Sequence, residues 1–219
     1  MTLPSKIPVL ANSSIASYSF DEVRDGFGYI TFYASNDKNG PWLSTQSNRS
    51  TAKEHIYDIT YADPNQVLLL SGSHTVHFSG SSFVLPRTIT GTATVESYWK
   101  ANRPDGSGEG SIDMEFAITK NAVDIGSFSG SQLAPADTNF VSGSVFYNIP
   151  LTETHFARGD IVGLRMTQWG KNTTGPPLHV KSYIGIDPLD RDGTQIKPST
   201  DADSTTILKI VIPVRIDIQ

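Results

Sequence analysis

The chain has 219 residues, with 17 Lys and Arg against 22 Asp and Glu, a formal net charge of -5 and no cysteine. This balance argues against a nucleic-acid-binding face, which needs clustered Lys and Arg, and the lack of cysteine excludes disulfides and thiolate metal sites. The N-terminus has no signal-peptide pattern and no apolar run could cross a bilayer, so we expect a chain made in a cytoplasm without a membrane partner.

The first 24 residues differ in pattern from the rest of the chain. They contain Pro4 and Pro8, a Ser-rich patch and no regular alternation. We expect an extended N-terminal arm over residues 1–24, followed by a single domain over residues 25–219. The segment "EHIYDIT", Glu54–Thr60, has no clean period and is predicted to be a short helical or irregular connection.

Polar and apolar residues alternate through most of the remaining sequence, with the period of a strand that buries one face. The alternation predicts about nine strands, at Phe27–Asn36, Gln66–Ser71, Thr88–Lys100, Ser111–Thr119, Ala122–Phe128, Val145–Ile149, Asp160–Trp169, Leu178–Ile186 and the C-terminal segment. Gly, Pro, Asp and Asn in the separators favour turns. Such a succession without helices is typical of an antiparallel β-sandwich of jelly-roll type.

A loop and the C-terminal strand allow more detailed predictions. Lys120 and Asn121 alone separate two predicted strands, and so short a loop containing Asn indicates a tight hairpin. In the C-terminal segment "TTILKIVIPVRIDIQ", Pro213 removes a ladder donor, which indicates a sheet edge or a bulge there. The apolar residues expected on the buried face of that strand are Leu208, Ile210, Ile212, Val214, Ile216 and Ile218.

The segment "GSIDMEFAI", Gly110–Ile118, is similar to the Glu-x-Asp-x-Glu strand of laminarinase-type glycoside hydrolases. In that pattern the two Glu residues are the nucleophile and the acid/base, and retaining hydrolysis needs them about 5 to 5.5 Å apart. Glu115 takes the last position, Asp113 the central one, and Ser111 falls where the nucleophile should be. We therefore expect no catalytic residue, although an inverting pair of Asp113 and Glu115, about 6.6 Å apart on one strand face, stays open.

The alternation in that strand offers a simpler interpretation of the same residues. Four apolar side chains are expected to face the core, which turns Ser111, Asp113 and Glu115 outward into water. The four inward residues are Ile112, Met114, Phe116 and Ile118.

Histidines do not form a recognisable metal site. A cupin metal needs imidazoles on one strand face, whereas "HTVH" places His74 and His77 on opposite faces of a strand. The remaining histidines, His55, His155 and His179, are isolated in the sequence. We expect neither a metal nor a cofactor.

Two further motifs have plain structural interpretations. Asp187, Asp190 and Asp192 precede Gly193 and could offer oxygens to calcium, but the closing Glu of an EF-hand is missing and turn-forming Asp is preferred. Calcium binding there stays open. The tripeptide "RGD", Arg158–Asp160, occurs in cell adhesion, but a Gly-Asp turn before a strand accounts for it.

Aromatic residues near strand ends could form a stacking platform for carbohydrate. The candidates are Trp42, Trp99, Trp169, Tyr98, Tyr147 and Tyr183. Trp99 shares the face of its strand with Ile89, Ala93 and Val95, which places it in the core. The others stay open between platform and core.

Residues 145–219 carry a second resemblance. "RGDIVGLRMTQWG", "YIGIDPLDRDG" and "STTILKIVIPVRIDIQ" follow one another, and in this order they resemble the last strands of jelly-roll capsid decoration, or cement, proteins of tailed bacteriophages. The resemblance implies a non-enzymatic homotrimer on the capsid exterior that grips the major capsid protein. Tyr29, Tyr33, Tyr98, Tyr147 and Tyr183 are then candidates for the interfaces.

The sequence thus predicts a trimeric cement protein of a virion. Two alternatives stay open, a carbohydrate- or receptor-binding head fibre or knob and a β-glucan hydrolase that uses Glu115 and Asp113.

Overall fold

The computed structural model of the chain describes residues 27–37, 40–45, 56–61, 74–102, 110–134, 141–172, 180–185 and 208–216. These residues form strands and turns, with no helix among them, which confirms the predicted all-β class. Within this part of the chain there is accordingly no helix long and apolar enough to span a membrane.

The described residues form eleven strands. They are β1 (Phe27–Asp37), β2 (Gly40–Ser44), β3 (Ile56–Tyr61), β4 (His74–Ser82), β5 (Arg87–Asn102), β6 (Gly110–Lys120), β7 (Val123–Ala134), β8 (Val141–Phe156), β9 (Ile161–Asn172), β10 (Val180–Gly185) and β11 (Leu208–Ile216). The predicted arm, the predicted strand at Gln66–Ser71 and the aspartates from Asp187 to Asp192 lie outside the described residues.

The prediction of a helical or irregular connection at Glu54–Thr60 is wrong. Ile56–Tyr61 is strand β3, which pairs antiparallel with β10. Tyr57, Ile59 and Tyr61 do alternate with polar residues, but a strand of six residues gives too short a run of alternation to be recognised reliably. Strand β2 was likewise not predicted, β4 was anticipated only as the strand that carries "HTVH", and β8 is about three times as long as the predicted Val145–Ile149.

The strands form one mixed sheet that curls into a nearly closed barrel, flattened like a sandwich. The hydrogen-bonded order is β3-β10-β5-β11-β1-β2-β4-β9-β6-β7, and β8 pairs with the other side of β5. Most pairs are antiparallel, and β2 meets β4 in parallel. Strand β7, at one end of this order, contacts β8, which flanks β5.

Strand β11 lies in the interior of the sheet, between β1 and β5. Its register against β5 shifts between Val211 and Val214, so Pro213 lies at a bulge. This confirms the bulge and excludes a sheet edge as the reason for the proline. The bulge removes the need for a ladder donor at Pro213, and the facing Gly91 has a φ of 97°, which suits glycine.

The core is built from the inward half of each alternating pattern. In β6 the predicted residues Ile112, Met114, Phe116 and Ile118 are all fully buried. In β11 the described residues of the predicted set, Leu208, Ile210, Ile212 and Val214, are at most 1% exposed. Each such side chain stabilises the fold by about 1.5 to 3 kcal/mol relative to exposure.

Strands β7 and β8 approach closely where the barrel closes. The ring of Tyr147 on β8 lies 5.0 Å from that of Phe128 on β7 and 5.7 Å from that of Phe116 on β6. Glycines make this approach feasible, since a methyl group at Gly126 would lie 2.4 Å from the carbonyl oxygen of Pro150. The predicted role of Tyr147 at an interface is wrong, because its side chain is only 8% exposed and fills this seam.

Strands β6 and β7 form the predicted tight hairpin. Lys120 pairs with Val123, which leaves Asn121 and Ala122 as the two loop residues, one position later than predicted. Both have positive φ, 48° and 68°, as a type I′ turn requires. The hairpin positions the outward residues of β6 and β7 for the candidate site.

Candidate functional site

The outward side chains of β6, β7 and β9 meet on one side of the barrel, which we call the cleft face. Asp113 on β6 lies directly opposite Trp169 on β9 and Ser131 on β7. Two residues along, Glu115 lies opposite Thr167 and Ser129 in the same way. Because facing residues in neighbouring strands have Cβ atoms about 4.5 to 5.5 Å apart, these side chains form one continuous surface.

This surface is concave. A cleft of about 260 Å³ is lined by Asp113, Glu115, Ser129, Gly130, Ser131 and Trp169. The lining offers two carboxylates, two hydroxyl groups and an indole ring. Gly130 adds no side chain, and its missing Cβ also leaves room for the Tyr147 ring on the core side, whose hydroxyl would lie 2.7 Å from that atom.

Asp113 is held by one hydroxyl group. Ser131 Oγ donates a hydrogen bond to Asp113 Oδ1 at 2.5 Å. No cation among the described residues forms an ion pair with this carboxylate. Asp113 therefore presents a negative charge to the cleft, with its second oxygen available to a ligand.

Glu115 is held by a cation instead. Arg165 Nη2 lies 2.7 Å from Glu115 Oε1 and 2.6 Å from Asp124 Oδ2, and Arg165 Nη1 donates to Thr167 Oγ1 at 3.3 Å. The hydrogen bond with Asp124, followed by that with Glu115, raises the pKa of Arg165, against the opposing effect of burial. This network fixes Glu115 and Arg165 at the edge of the cleft.

The predicted orientation of the β6 side chains is confirmed for both carboxylates, which lie on the outer face and are partly exposed. Ser111 differs, since it is 5% exposed and does not line the cleft. The position where a laminarinase-type nucleophile would stand is therefore covered as well as lacking a carboxylate.

The RGD tripeptide lies at one end of the barrel, away from the cleft. The Asp160 carboxylate accepts hydrogen bonds from Asn121 Nδ2 at 2.7 Å and from the Ala157 amide at 2.8 Å, and it pairs with Lys120 Nζ at 3.0 Å. These contacts, with the Asn121 bond the largest, lower the pKa of Asp160 to about 2. The aspartate joins the β6–β7 hairpin to the β8–β9 turn, as the structural interpretation of this motif expects.

Metal ligands are not clustered in the part of the chain that the structure describes, where no three His, Cys, Asp or Glu side chains lie together. His77 is exposed on β4, and His155 is exposed near the end of β8. The other three histidines and the calcium candidates Asp187, Asp190 and Asp192 have side chains outside the described residues.

The aromatic candidates divide between core and surface. Trp99 is 6% exposed, which confirms its predicted place in the core, whereas Trp169 is partly buried and lines the cleft. Tyr29 is 51% exposed on the opposite side of the barrel, on β1, and Tyr33 is partly exposed on the same strand. The side chains of Tyr98 and Tyr183 lie outside the described residues.

Sequence reasoning missed the partners that make Asp113 part of a site. Ser129 and Ser131 occupy alternate positions of "SFSGS", and Arg165, Thr167 and Trp169 occupy alternate positions of "RMTQW". The alternation does place each set on one face of its strand. It does not indicate which strands are neighbours or in which register they pair.

No known protein family matches the sequence, and no curated protein matches it. Among solved structures, an α-amino acid ester hydrolase is 12% identical over 84% of this chain and 36% of its own, with a TM-score of 0.53. An aminopeptidase from a marine sediment Thaumarchaeota archaeon is 8% identical over 85% of this chain and 36% of its own, with a TM-score of 0.52. The chain thus spans just over a third of the hydrolases whose fold it shares.

These findings correct the prediction of a non-enzymatic capsid cement protein. The folds that match are parts of hydrolases. A structure of infectious bursal disease virus also matches, at 11% identity over 97% of this chain and 58% of its own, but with a TM-score of 0.33 it supports no conclusion about a virion role. Alternating strands with apolar inner faces occur in capsid jelly rolls and in the β-sandwiches of hydrolases alike, so the pattern misassigned the function.

The predicted homotrimer, the major capsid partner and the capsid exterior as a location are tested by none of these comparisons.

Proposed function

We propose that this chain is a β-sandwich unit of a hydrolase and that its cleft face binds the substrate. The observation that carries the proposal is the pairing of Asp113 with Trp169 across β6 and β9 inside a concave surface. A charged acceptor, hydroxyl groups and an aromatic ring converge there, which is the lining expected of a site that orients a small polar organic molecule.

The geometry of the cleft supports a role in substrate binding more directly than a role in catalysis. Glu115 is engaged by Arg165 and Asp113 by Ser131, so both carboxylates are held in fixed positions. Fixed acceptors on a rigid sheet favour recognition, because little side-chain entropy is lost when a ligand arrives. The cleft therefore holds and orients a substrate, and it supplies no described nucleophile next to a base.

The fold that this chain shares with two hydrolases suggests a class of substrate. The two structures with matching folds are named for α-amino acid esters and for the removal of amino acids from peptides. We propose that the substrates of this chain are about the size of an amino acid ester or a short peptide. The cleft volume of about 260 Å³ suits a ligand of this size or one part of a longer ligand.

A binding experiment tests the cleft. Saturation-transfer NMR with phenylalanine methyl ester, a dipeptide and a neutral β-1,3-linked glucose trisaccharide is expected to show binding of at least one probe. Trp169→Ala should abolish the signal, while Tyr29→Ala, which removes an exposed aromatic ring on the opposite side, should leave it unchanged. Binding of no probe, or equal signals from the wild type and Trp169→Ala, would contradict the proposal.

A second measurement tests the hydrolase part separately. Because the described residues supply no nucleophile next to a base, the chain by itself is expected to release methanol from phenylalanine methyl ester no faster than buffer does. Methanol release above the buffer rate that falls in Trp169→Ala would instead give the cleft a catalytic role and contradict a role in binding alone.

A further inference from the structure

We infer that the cleft face selects ligands that carry an ammonium group, held between the Asp113 carboxylate and the Trp169 ring. The inference rests on the proposed function, since it names the class of ligand that the same cleft takes. It follows from the charge and the aromatic group that the cleft presents together.

The side chains of this face that the structure describes carry more negative than positive charge. Asp113, Glu115 and Asp124 bring three carboxylates, and Arg165 is the cation that contacts two of them. Among the described residues, Arg165 is shared by Glu115 and Asp124, and Asp113 has the neutral hydroxyl of Ser131 as its partner. A cation that entered the cleft would therefore meet an uncompensated negative charge at Asp113.

Trp169 adds a second attraction for a cation. Its indole is the ring system that attracts cations most strongly across its face, and it stands directly across the ladder from Asp113. An ammonium group between the two would donate to the free oxygen of Asp113 while lying near the ring. Ser129 and Ser131 could accept or donate further hydrogen bonds to the rest of the ligand.

A neutral ligand such as a sugar would interact less favourably with the cleft than an ammonium ligand would. Its hydroxyl groups could donate to Asp113 and its ring could stack on Trp169, but the carboxylate charge would stay without a counter-ion as water is displaced. Covering a carboxylate without bringing an opposite charge to it costs free energy, whereas an ammonium group adds the attraction between opposite charges to its hydrogen bond. The cleft therefore favours a cationic ligand over a neutral one of the same shape.

Benzylammonium and benzyl alcohol form a matched pair of probes, because they share the ring and differ in charge. Chemical-shift titrations followed at residues of β6, β7 and β9 should show benzylammonium binding at least about tenfold more tightly than benzyl alcohol. Asp113→Asn should weaken benzylammonium by about tenfold and leave benzyl alcohol unchanged. Asp124→Asn is the matched control, since that carboxylate is paired with Arg165 and does not line the cleft, and it should have a much smaller effect.

The outcomes separate the two proposals. Equal affinities for both probes, tighter binding of the neutral trisaccharide than of benzylammonium, or equal effects of Asp113→Asn and Asp124→Asn would overturn the inference while leaving the cleft as a binding site. If Trp169→Ala does not alter the binding of any probe, the proposed function fails with it. Circular dichroism of each variant is expected to show an intact sheet, since every substituted side chain lies on the outer face of the barrel.

Discussion

Asp160 shows how one side chain can hold two connections of a β-barrel together. Its carboxylate bonds to Asn121 in the β6–β7 hairpin and to the Ala157 amide in the β8–β9 turn, and Lys120 also donates to the carbonyl oxygen of His155. Asn121 in turn accepts from the Ile161 amide. The residue that looked like part of an adhesion motif therefore has a structural role.

We expect Asp160→Asn to lower the thermal midpoint at pH 7, because the neutral amide cannot replace the charged acceptor for Lys120 and Asn121. The pKa of Asp160 is lowered from 3.8 to about 2 in the folded chain. A lowered pKa means that the ionised form stabilises the fold above about pH 4, and that this contribution disappears as the pH falls towards 2.

Urea unfolding of the wild type and Asp160→Asn between pH 7 and pH 2.5 would measure the effect. The difference in unfolding free energy should be constant above about pH 5 and should narrow below pH 4. Arg158→Ala, an exposed change in the same turn, is the control and should show no such dependence. A difference that does not vary with pH would show that the charge of Asp160 does not stabilise the turn.

At the scale of elements, the β6–β7 hairpin was the most complete prediction from the sequence. Its two loop residues both adopt positive φ, which Asn tolerates and alanine does not. Asn121 also makes side-chain bonds to Asp160 and to the Ile161 amide, so its position is fixed by more than the turn. Ala122 has no such compensation and carries strain.

We therefore expect Ala122→Gly to stabilise the protein by up to about 1.6 kcal/mol. Glycine removes a left-handed strain of about 1 to 2 kcal/mol, and its greater freedom in the unfolded chain returns about 0.4 to 1 kcal/mol. Urea unfolding at neutral pH measures the change. Ser127→Gly, in the strand beyond the turn, should destabilise instead, and a loss of stability in Ala122→Gly would contradict the I′ assignment.

The elements that were predicted poorly share a cause. Strands β3 and β2 have six and five residues, so neither gives a run of alternation long enough to detect. Strand β11 gave the clearest pattern of all. The bulge at Pro213 was one of two interpretations until the pairing with β5 placed the strand in the interior of the sheet.

At the scale of the whole molecule, β11 links two parts of the sheet, because it pairs with β1, the first described strand, and with β5. It pairs with β1 from Phe27 to Tyr33 and with β5 on its other side. Its inward residues belong to the same core as those of β6 and β9. Most of this pairing is distant in sequence, so β1 and β5 depend on β11 for their hydrogen-bonded neighbour.

A chain that ends at residue 207 should therefore lose cooperative unfolding, because β1 and β5 would both expose unpaired edges and the core would lose four buried side chains. A chain that ends at residue 216 retains β11 and is the control. Near-ultraviolet circular dichroism during thermal unfolding would compare the two. A sharp transition in the shorter chain would show that β11 is dispensable.

The functional prediction failed at this same scale. Outward polar residues, an inward apolar set and a missing nucleophile at Ser111 are compatible with a capsid protein and with a β-sandwich from a hydrolase. The likeness to parts of an ester hydrolase and an aminopeptidase is a property of the overall fold, which no single strand reveals.

The sequence by itself determined the all-β class, the inward residues of β6 and β11, the tight hairpin and the outward direction of Asp113 and Glu115. These are local properties, because side chains of a strand alternate with a period of two whatever its neighbours are. Only the tertiary structure decided that Asp113 faces Trp169 and Ser131, and that Arg165 reaches Glu115 across 50 residues of sequence. Strand order and register arise from the packing of the whole core, so the cleft exists only once the sheet has closed.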